Sequence, residues 1–187
     1  LLISSEEITS ALFGYGSFDS SSVKSSAKAL FYFAFGLPAY SLTKIFSSFL
    51  FARHNTKIPF YFSLSSVIVN IFISVLFFKN VGFIIIPIAT TIASWFNTFL
   101  LLIYVFSKNY FSISREFYIF LSRIILTNVF VMYIYFKLIN FFENYLIFSS
   151  NNKLLTIILI VLTTFVIYIL VSILTKAFKI SDIKLKY

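Results

Sequence analysis

The sequence predicts an all-α, polytopic integral membrane protein with about five transmembrane helices. Of the 187 residues, 60% are hydrophobic and only 11% are charged, whereas a soluble domain has about 25% charged residues. The apolar residues lie in five long runs, and each run has the ~20 residues that are needed to cross a bilayer. Because no lipid-exposed strand could satisfy its backbone groups, we interpret these runs as helices.

The chain starts with Leu1 rather than Met, and we expect it to be a fragment of a longer polypeptide. Ser4 to Glu7 offer a helix start with carboxylates in the first turn, which predicts a short interfacial helix. Gly14 and Gly16 end this helix. We place the transmembrane helices near residues 26–52, 59–78, 82–106, 117–141 and 153–175.

The loops between the predicted helices differ in positive charge, and this difference predicts the orientation. One side carries nine Lys and Arg residues and the other carries five, with Lys44 left within the membrane. Because cytoplasmic loops are enriched in Lys and Arg, the first side, with the C-terminus, is predicted to be cytoplasmic. The nine are Arg53, Lys57, Lys108, Arg115, Arg123, Lys176, Lys179, Lys184 and Lys186; the five are Lys24, Lys28, Lys79, Lys137 and Lys153.

Composition and motifs argue against several classes of function. The chain has no cysteine, which excludes thiolate chemistry, and its only histidine, His54, is most simply a solvated loop residue. It has no Ser-His-Asp set, paired acids on one helix face or glycine-rich phosphate loop, so we do not predict an enzyme. The net charge of +9 is spread between apolar runs, so nucleic acid is not a predicted partner.

Polar side chains recur at helical spacing within the first three predicted transmembrane helices. Lys44 is costly at membrane depth, and it lies about 12 Å from the cytoplasmic end of its helix at a 1.5 Å rise per residue. Two interpretations stay open: hydroxyl groups pack the helices while Lys44 snorkels to the interface, or the helices line a water-filled cavity. The polar positions are Tyr40, Ser41, Lys44, Ser47 and Ser48 on the first helix, Ser63, Ser66, Asn70 and Ser74 on the second, and Thr90, Ser94, Asn97 and Thr98 on the third.

Two of these helices contain residues that weaken helical hydrogen bonding. Gly36 and Pro38 lie in the first helix, and Pro87 lies in the third. Proline lacks a backbone donor, so Pro38 frees the carbonyl of Ala34 and Pro87 frees that of Phe83. We interpret Gly36, Pro38 and Pro87 as candidate hinge residues.

Several short motifs follow one another in residues 10–106. They are Leu12-Phe13-Gly14-Tyr15-Gly16-Ser17-Phe18 before the first long helix, Gly36-Leu37-Pro38-Ala39 and Lys44 within it, and Phe51-Ala52-Arg53 with Thr56-Lys57-Ile58-Pro59 after it. In the order and spacing of these motifs, the chain resembles the MurJ/MviN lipid II flippase family. That family belongs to the multidrug/oligosaccharidyl-lipid/polysaccharide exporter superfamily.

The resemblance implies that the chain forms helices ten to fourteen of a fourteen-helix exporter fold. The whole protein would move lipid II, the undecaprenyl-pyrophosphate-linked peptidoglycan precursor, across the bacterial inner membrane by alternating access. Its partners would be this substrate, membrane lipids and the N-terminal helices of the same chain. Residues 1–25 would comprise the end of a preceding helix and a periplasmic interfacial segment, residues 26–106 three helices of the C-terminal transport bundle, and residues 107–187 two peripheral helices and a basic cytoplasmic tail.

The resemblance also implies a substrate cavity and a candidate sodium ion, with no other cofactor. Some family members bind sodium between helices that include the second and third predicted here, with an acid at the position of Ser74. We predict that Lys44, Tyr40, Ser41 and Ser48 bind the substrate or line its cavity and that Arg53 and Lys57 lie at its cytoplasmic entrance. The residues that the resemblance implies for sodium are Asn70, Ser74, Ile86 and Thr90.

Two other functions stay open at this point. The chain could belong to an exporter of other lipid-linked oligosaccharides or of drugs in the same superfamily. Arginines in the upstream sequence, which the flippases carry in their N-terminal helices, would distinguish that case. It could also be a membrane scaffold that transports nothing, which would insert and bind its partner without an N-terminal half.

Overall fold

The computed structural model describes residues 1–110 and 114–177, and the regular elements within these ranges are all helical. This confirms the predicted all-α fold for the described residues. Of the predicted basic tail, Lys179, Lys184 and Lys186 lie outside them. The helices are α1 (Ser5–Phe13), α2 (Ser20–Ala52), α3 (Lys57–Val81), α4 (Ile85–Ser107), α5 (Arg115–Phe141), α6 (Glu143–Leu146) and α7 (Lys153–Leu174), with a 3₁₀ turn at Gly82–Ile84.

Four helical stretches of the described residues are long and apolar enough to cross a membrane, and one of them contains two helices. This stretch, Lys57–Ser107, has 51 residues and comprises α3 and α4. Gly82 divides it, because its φ of 72° lies in the left-handed region and α4 folds back against α3. With 25 residues in α3 and 23 in α4, each helix can span a bilayer alone, as the five predicted spans require. The other stretches are Ser20–Ala52, Arg115–Phe141 and Lys153–Leu174.

The chain divides into two compact units. The bundle unit comprises residues 1–6 and 18–112, and it therefore contains α2, α3 and α4. The peripheral unit comprises residues 7–17 and 113–187, and it therefore contains most of α1 with α5, α6 and α7. The predicted division of the chain into three parts stays a prediction.

In the bundle unit, α4 packs against both α2 and α3, whereas α2 and α3 hardly contact each other. Gly36 on α2 allows the close approach of α4, because a Cβ atom at this position would lie 3.1 Å from Thr91 Oγ1. Ala34 and Ala39 of α2 are also small and buried. The result is a crevice between α2 and α3 that α4 closes from one side.

Three side chains on one face of α4 donate hydrogen bonds to backbone carbonyls of α2. They lie at positions i, i+4 and i+7, so a single helical face presents all of them. Bonds of this kind hold membrane helices together where no water competes for the carbonyl. The pairs are Thr91 Oγ1 to Tyr32 O (2.8 Å), Trp95 Nε1 to Phe35 O (3.0 Å) and Thr98 Oγ1 to Ala39 O (2.9 Å).

The start of α2 lies at Ser20, earlier than the predicted start at residue 26. Asp19 is its N-cap and accepts a hydrogen bond of 2.8 Å from the backbone N–H of Ser22, and the Ser21 hydroxyl donates to it at 3.0 Å. These hydrogen bonds, that of the Ser22 backbone first, lower the pKa of Asp19. The stabilisation by this cap is therefore complete at neutral pH and is lost as the pH falls through the lowered pKa.

In the peripheral unit, α5 packs against α7, and the short α6, which the sequence pattern does not predict, lies between them in the chain. Thr127 of α5 shares a hydrogen bond of 2.9 Å with Thr175, just after α7. The N-terminal segment contributes to the apolar core at the opposite end of the pair. This core consists of Ala11, Ile139, Leu146, Ile157 and Ile160.

Replacing Gly36 by valine should separate α2 from α4. The new side chain would start 3.1 Å from Thr91 Oγ1 and 3.3 Å from the Tyr40 ring, so both neighbours must shift. We expect a loss of about 1–3 kcal/mol, the usual cost of overpacking, seen as a lower unfolding midpoint of the detergent-solubilised full-length protein. Leu37→Val, at an exposed neighbouring position, is the matched control, and equal midpoints for the two variants would contradict the close packing.

Candidate functional site

The crevice between α2 and α3 contains a cavity of about 200 Å³, the polar cavity. Eight of its ten lining residues have polar side chains, which are costly at membrane depth unless they meet one another, water or a ligand. The structure thus brings polar positions of three helices together around one space. The lining residues are Tyr40 and Thr43 of α2, Ser63, Ser66, Val67 and Asn70 of α3, and Thr90, Ala93, Ser94 and Asn97 of α4.

Asn97 is the residue of this lining that requires water or a ligand. Its side chain is only 8% exposed, and its amide nitrogen donates to Ser63 Oγ at 3.4 Å. Its oxygen Oδ1 has no hydrogen-bond partner among the described residues. An unpaired buried acceptor costs about 1–3 kcal/mol. The cavity volume is several times the ~30 Å³ that one water occupies in the liquid, so water can satisfy Oδ1.

Other hydroxyl groups of the lining are satisfied within the protein. Ser66 Oγ donates to the carbonyl of Phe62 at 2.9 Å, and Ser94 Oγ donates to that of Thr90 at 2.7 Å. Such bonds to the preceding turn are ordinary for helical serines. These residues are compatible with dry helix packing, whereas Asn97 favours a hydrated space.

A larger cavity of about 590 Å³, the entrance cavity, lies where α2 ends and α3 begins. Ser63 lines both cavities, so they adjoin at this residue. Lys57 supplies the positive charge of the lining, which favours an anionic ligand. The lining residues are Ser47, Phe51, Thr56, Lys57, Pro59, Phe60, Tyr61 and Ser63.

The predicted cavity residues of α2 lie on two adjacent faces of the helix. Tyr40 lines the polar cavity, together with Thr43 at the i+3 position. Lys44 follows Thr43 and therefore points about 100° further round the helix. It is exposed beside the crevice, as are Ser41 and Ser48, and these three residues line neither cavity.

Arg53 is held at the end of α2 by two aromatic rings. Its guanidinium carbon lies 4.8 Å from the centre of the Phe49 ring and 4.2 Å from that of Tyr110. Each contact of this kind contributes about 0.5–1 kcal/mol at an exposed site. Arg53 is itself exposed and lies outside both linings, so its charge has a defined place at this end of the bundle unit.

The candidate hinge residues lie within continuous helices. α2 runs without interruption through Gly36 and Pro38, from Ser20 to Ala52. Pro87 lies in the first turn of α4. Backbone N–H groups in the first turn have no acceptor within the helix, so a proline there removes no helical hydrogen bond. The hinge roles of Gly36, Pro38 and Pro87 stay predictions.

The four residues of the candidate sodium site form a chain of hydrogen bonds between α3 and α4. All four groups are uncharged, and α3 and α4 contain no acidic residue. Their oxygens already bond to one another and no carboxylate offsets a cation, so these residues alone do not fit a sodium ion. The bonds run from Ser74 Oγ to Asn70 Oδ1 (3.2 Å), from Asn70 Nδ2 to Thr90 Oγ1 (3.2 Å) and from Thr90 Oγ1 to Ile86 O (2.8 Å).

The chain matches a known family along most of its length. Residues 1–156 match the family described as lipid II flippase MurJ. The chain belongs to the lipid II flippase MurJ family. This confirms the predicted family, and the match to MurJ extends beyond residues 10–106 through α5 to the start of α7.

Curated relatives carry the same family name. The probable lipid II flippase MurJ of Rickettsia prowazekii is 32% identical over 126 residues, which are 67% of the chain and 25% of that relative. That of Rhizobium meliloti is 36% identical over 101 residues, or 54% of the chain and 19% of the relative. That of Thermotoga maritima is 39% identical over 93 residues, or 50% and 20%. The chain therefore spans about a quarter or less of the length of these relatives.

Two hydrogen-bond donors of α4, Thr91 and Trp95, are absent from the predicted polar positions. Thr43 is absent as well, although its hydroxyl shares a hydrogen bond of 2.9 Å with that of Thr98. The spacing of Thr91, Trp95 and Thr98 along α4 is a signal that could identify them. Tryptophan is easily taken as background in a chain with 21% aromatic residues.

The uncharged cluster around Asn70 predicts how the protein responds to sodium. We expect Asn70→Leu to leave the difference in unfolding midpoint between sodium chloride and choline chloride unchanged in the full-length protein. Ser74→Asp supplies a carboxylate, and sodium at 100 times its Kd would then stabilise the variant by about 2.7 kcal/mol. Ser74→Asn, which stays neutral, is the matched control. A sodium effect on the unsubstituted protein that Asn70→Leu abolishes would contradict this expectation.

Proposed function

We propose that the whole protein moves lipid II, a lipid-linked peptidoglycan precursor, across the bacterial inner membrane by alternating access. This chain would form its C-terminal part, with the C-terminus in the cytoplasm. Membership of the MurJ family and the names of the relatives support this function. The proposed activity is transport without catalysis, because moving a substrate across a bilayer breaks no covalent bond.

The observation that carries the proposal is a polar crevice bounded by apolar helix surfaces. A lipid-linked substrate has a polar head group and an apolar chain, and each part needs matching surroundings while it crosses. The polar cavity and the entrance cavity offer hydroxyl, amide and ammonium groups to a head group. Exposed apolar side chains such as Phe72, Val75 and Ile103 suit contact with hydrocarbon.

Positive charges near the crevice would attract the pyrophosphate of the substrate. Lys57 lies in the entrance cavity, and Arg53 is held at the adjacent end of α2. Basic residues at an anionic membrane surface contribute about 1 kcal/mol each. Lys44 would add a compact point charge farther along α2. The neighbouring hydroxyl groups are those of Tyr40, Ser41 and Ser48.

The helix pair α5 and α7 would serve the apolar chain of the substrate. Large apolar side chains of the pair are exposed, among them Leu126, Leu155 and Phe165. Hydrocarbon surfaces of this kind bind a prenyl chain without specific polar contacts. The apolar chain of the substrate would thus lie on the exposed surface of α5 and α7.

Removing the charge of Lys44 should slow transport. We expect full-length protein with Lys44→Ala to translocate lipid II roughly fivefold more slowly, which corresponds to the ~1 kcal/mol of one charge pair at 4 Å in water. The measurement is translocation, with growth, in cells depleted of their own flippase. Lys44→Arg keeps the charge and Lys79→Ala removes an exposed lysine elsewhere, so both should stay near normal. Unimpaired translocation by Lys44→Ala at normal abundance would remove Lys44 from the mechanism.

Single cysteines can show whether the crevice is hydrated, because the chain has no cysteine of its own. In full-length protein with any other cysteine replaced, Ser63→Cys should react with a water-soluble maleimide roughly tenfold faster than Leu64→Cys, since a thiol ionises in water and not in hydrocarbon. Ser63 lines both cavities, whereas Leu64 is exposed and lines neither. Equal rates would mean a dry crevice and would remove the support for the transport function.

A further inference from the structure

Lys153, the first residue of α7, is buried against carbonyls and aromatic rings. Only 2% of its surface is exposed, and its ammonium nitrogen donates to the carbonyl of Gly14 at 2.6 Å and to that of Phe148 at 2.9 Å. The nitrogen also lies 4.3 Å from the centre of the Tyr15 ring and 4.6 Å from that of Phe148. We call this arrangement the Lys153 clasp.

The clasp uses two of the three hydrogen-bond donors of the ammonium group. These two are taken by the carbonyls, and the ring faces stabilise the remaining positive charge. Charge-assisted hydrogen bonds of this kind offset the desolvation of a buried cation only if the whole set is made. A lysine that only marked a loop for membrane topology would keep its ammonium in water, so Lys153 has a further role.

Gly14 provides the space that the clasp needs. A Cβ atom at Gly14 would lie 2.6 Å from the carbonyl oxygen of Ser10 and 2.9 Å from the ring of Phe148. It would also lie 3.2 Å from the ammonium nitrogen. Real Cβ atoms do not approach other atoms as closely as the first two distances, so the clasp closes only with glycine at this position.

The chain leaves the clasp through Gly16. The φ of Gly16 is 60°, in the left-handed region that favours glycine, and no described atom lies within 4 Å of a Cβ atom placed there. Asp19 then caps α2. The chain therefore runs from Gly14, which the clasp holds, through Gly16, which has open space around it, into the long helix α2.

We propose that the Lys153 clasp is an anchor for the transport cycle: it holds the end of α1 and the Gly14 turn against the α6–α7 corner. Its role in the cycle rests on the proposed function, whereas the anchoring itself does not. Lys153 is a positioning residue, because it acts through the segment that leads into α2. The ammonium group, rather than the volume of the side chain, holds the anchor.

Labelling of a buried cysteine tests the anchoring directly. Ser10 is buried beside Gly14, so Ser10→Cys, as the single cysteine of the full-length protein, should react slowly with a water-soluble maleimide. Adding Lys153→Met should speed this reaction roughly tenfold by opening the segment locally. Lys137→Met is the matched control, since Lys137 is exposed and should leave the rate unchanged. Ser17→Cys, at an exposed position, gives the reference for unhindered labelling.

Chemical rescue tests the role of the ammonium in transport. Lys153→Cys should lower lipid II translocation in proteoliposomes roughly tenfold, as should Gly14→Ala. Alkylation of the new cysteine with 2-bromoethylamine rebuilds a lysine-like ammonium and should restore translocation, whereas alkylation with 1-bromopropane adds a neutral chain of equal length and should not. Gly14→Ala combined with Lys153→Met should be no worse than either alone, because both open one contact.

Each arm has a result that overturns the proposal. Slow labelling of Ser10→Cys in the Lys153→Met protein would show that the clasp does not hold the segment. Fast labelling with normal translocation would show that the anchor plays no part in the cycle. Equal rescue by the neutral chain would show that charge does not matter. If the unsubstituted protein translocates no lipid II, the proposed function fails, and the labelling arm still decides whether the clasp anchors α1.

Discussion

The bundle unit depends on the contact between α2 and α4, where α4 side chains donate to α2 carbonyls. In lipid, no water competes for these carbonyls, so a few donors fix one helix against another in both register and rotation. Trp95 and Thr98 set this register, and Gly36 allows the approach that the bonds require. Because α4 also packs against α3, the other two helices are left apart. The crevice is thus a geometric consequence of where α4 is held.

The side chains inside the crevice are neutral, whereas positively charged side chains lie at its margin. Hydroxyl and amide groups line the polar cavity, whereas the ammonium of Lys57 lies in the entrance cavity and Lys44 is exposed beside the crevice. Neutral groups exchange hydrogen bonds with a sugar or peptide without holding it too tightly to leave, which any transport site requires. In the proposed function, the charges at the margin would act over a longer range on the phosphate groups of the substrate. In the proposed function, this separation would let a substrate enter, cross and leave.

Much of the fold is predictable because a bilayer leaves few choices to an apolar chain. The helical runs and the polar faces of α3 and α4 follow from periodicity, whereas the grouping of Asn70, Ser74, Ile86 and Thr90, which hydrogen bonds join, follows from the family resemblance. The start of α2 is not predictable from hydropathy, because its first turns are rich in serine and lysine and only the Asp19 cap marks them as helical. The position of Lys44 beside the crevice depends on how α2 rotates, which distant donors such as Trp95 determine. From the sequence, Lys153 is predicted to be a charged loop residue, because no sequence pattern connects it with Gly14.

Among the described residues, the partners of Lys153 in the peripheral unit are two carbonyls and two aromatic rings, with no acid. A lysine–carboxylate pair fails when protons neutralise the carboxylate, whereas backbone carbonyls stay neutral over that pH range. Burial also protects these contacts from dissolved ions, which weaken exposed pairs far more. In an acidic or salty environment, the cell envelope therefore retains the contacts of Lys153 without a second charged residue.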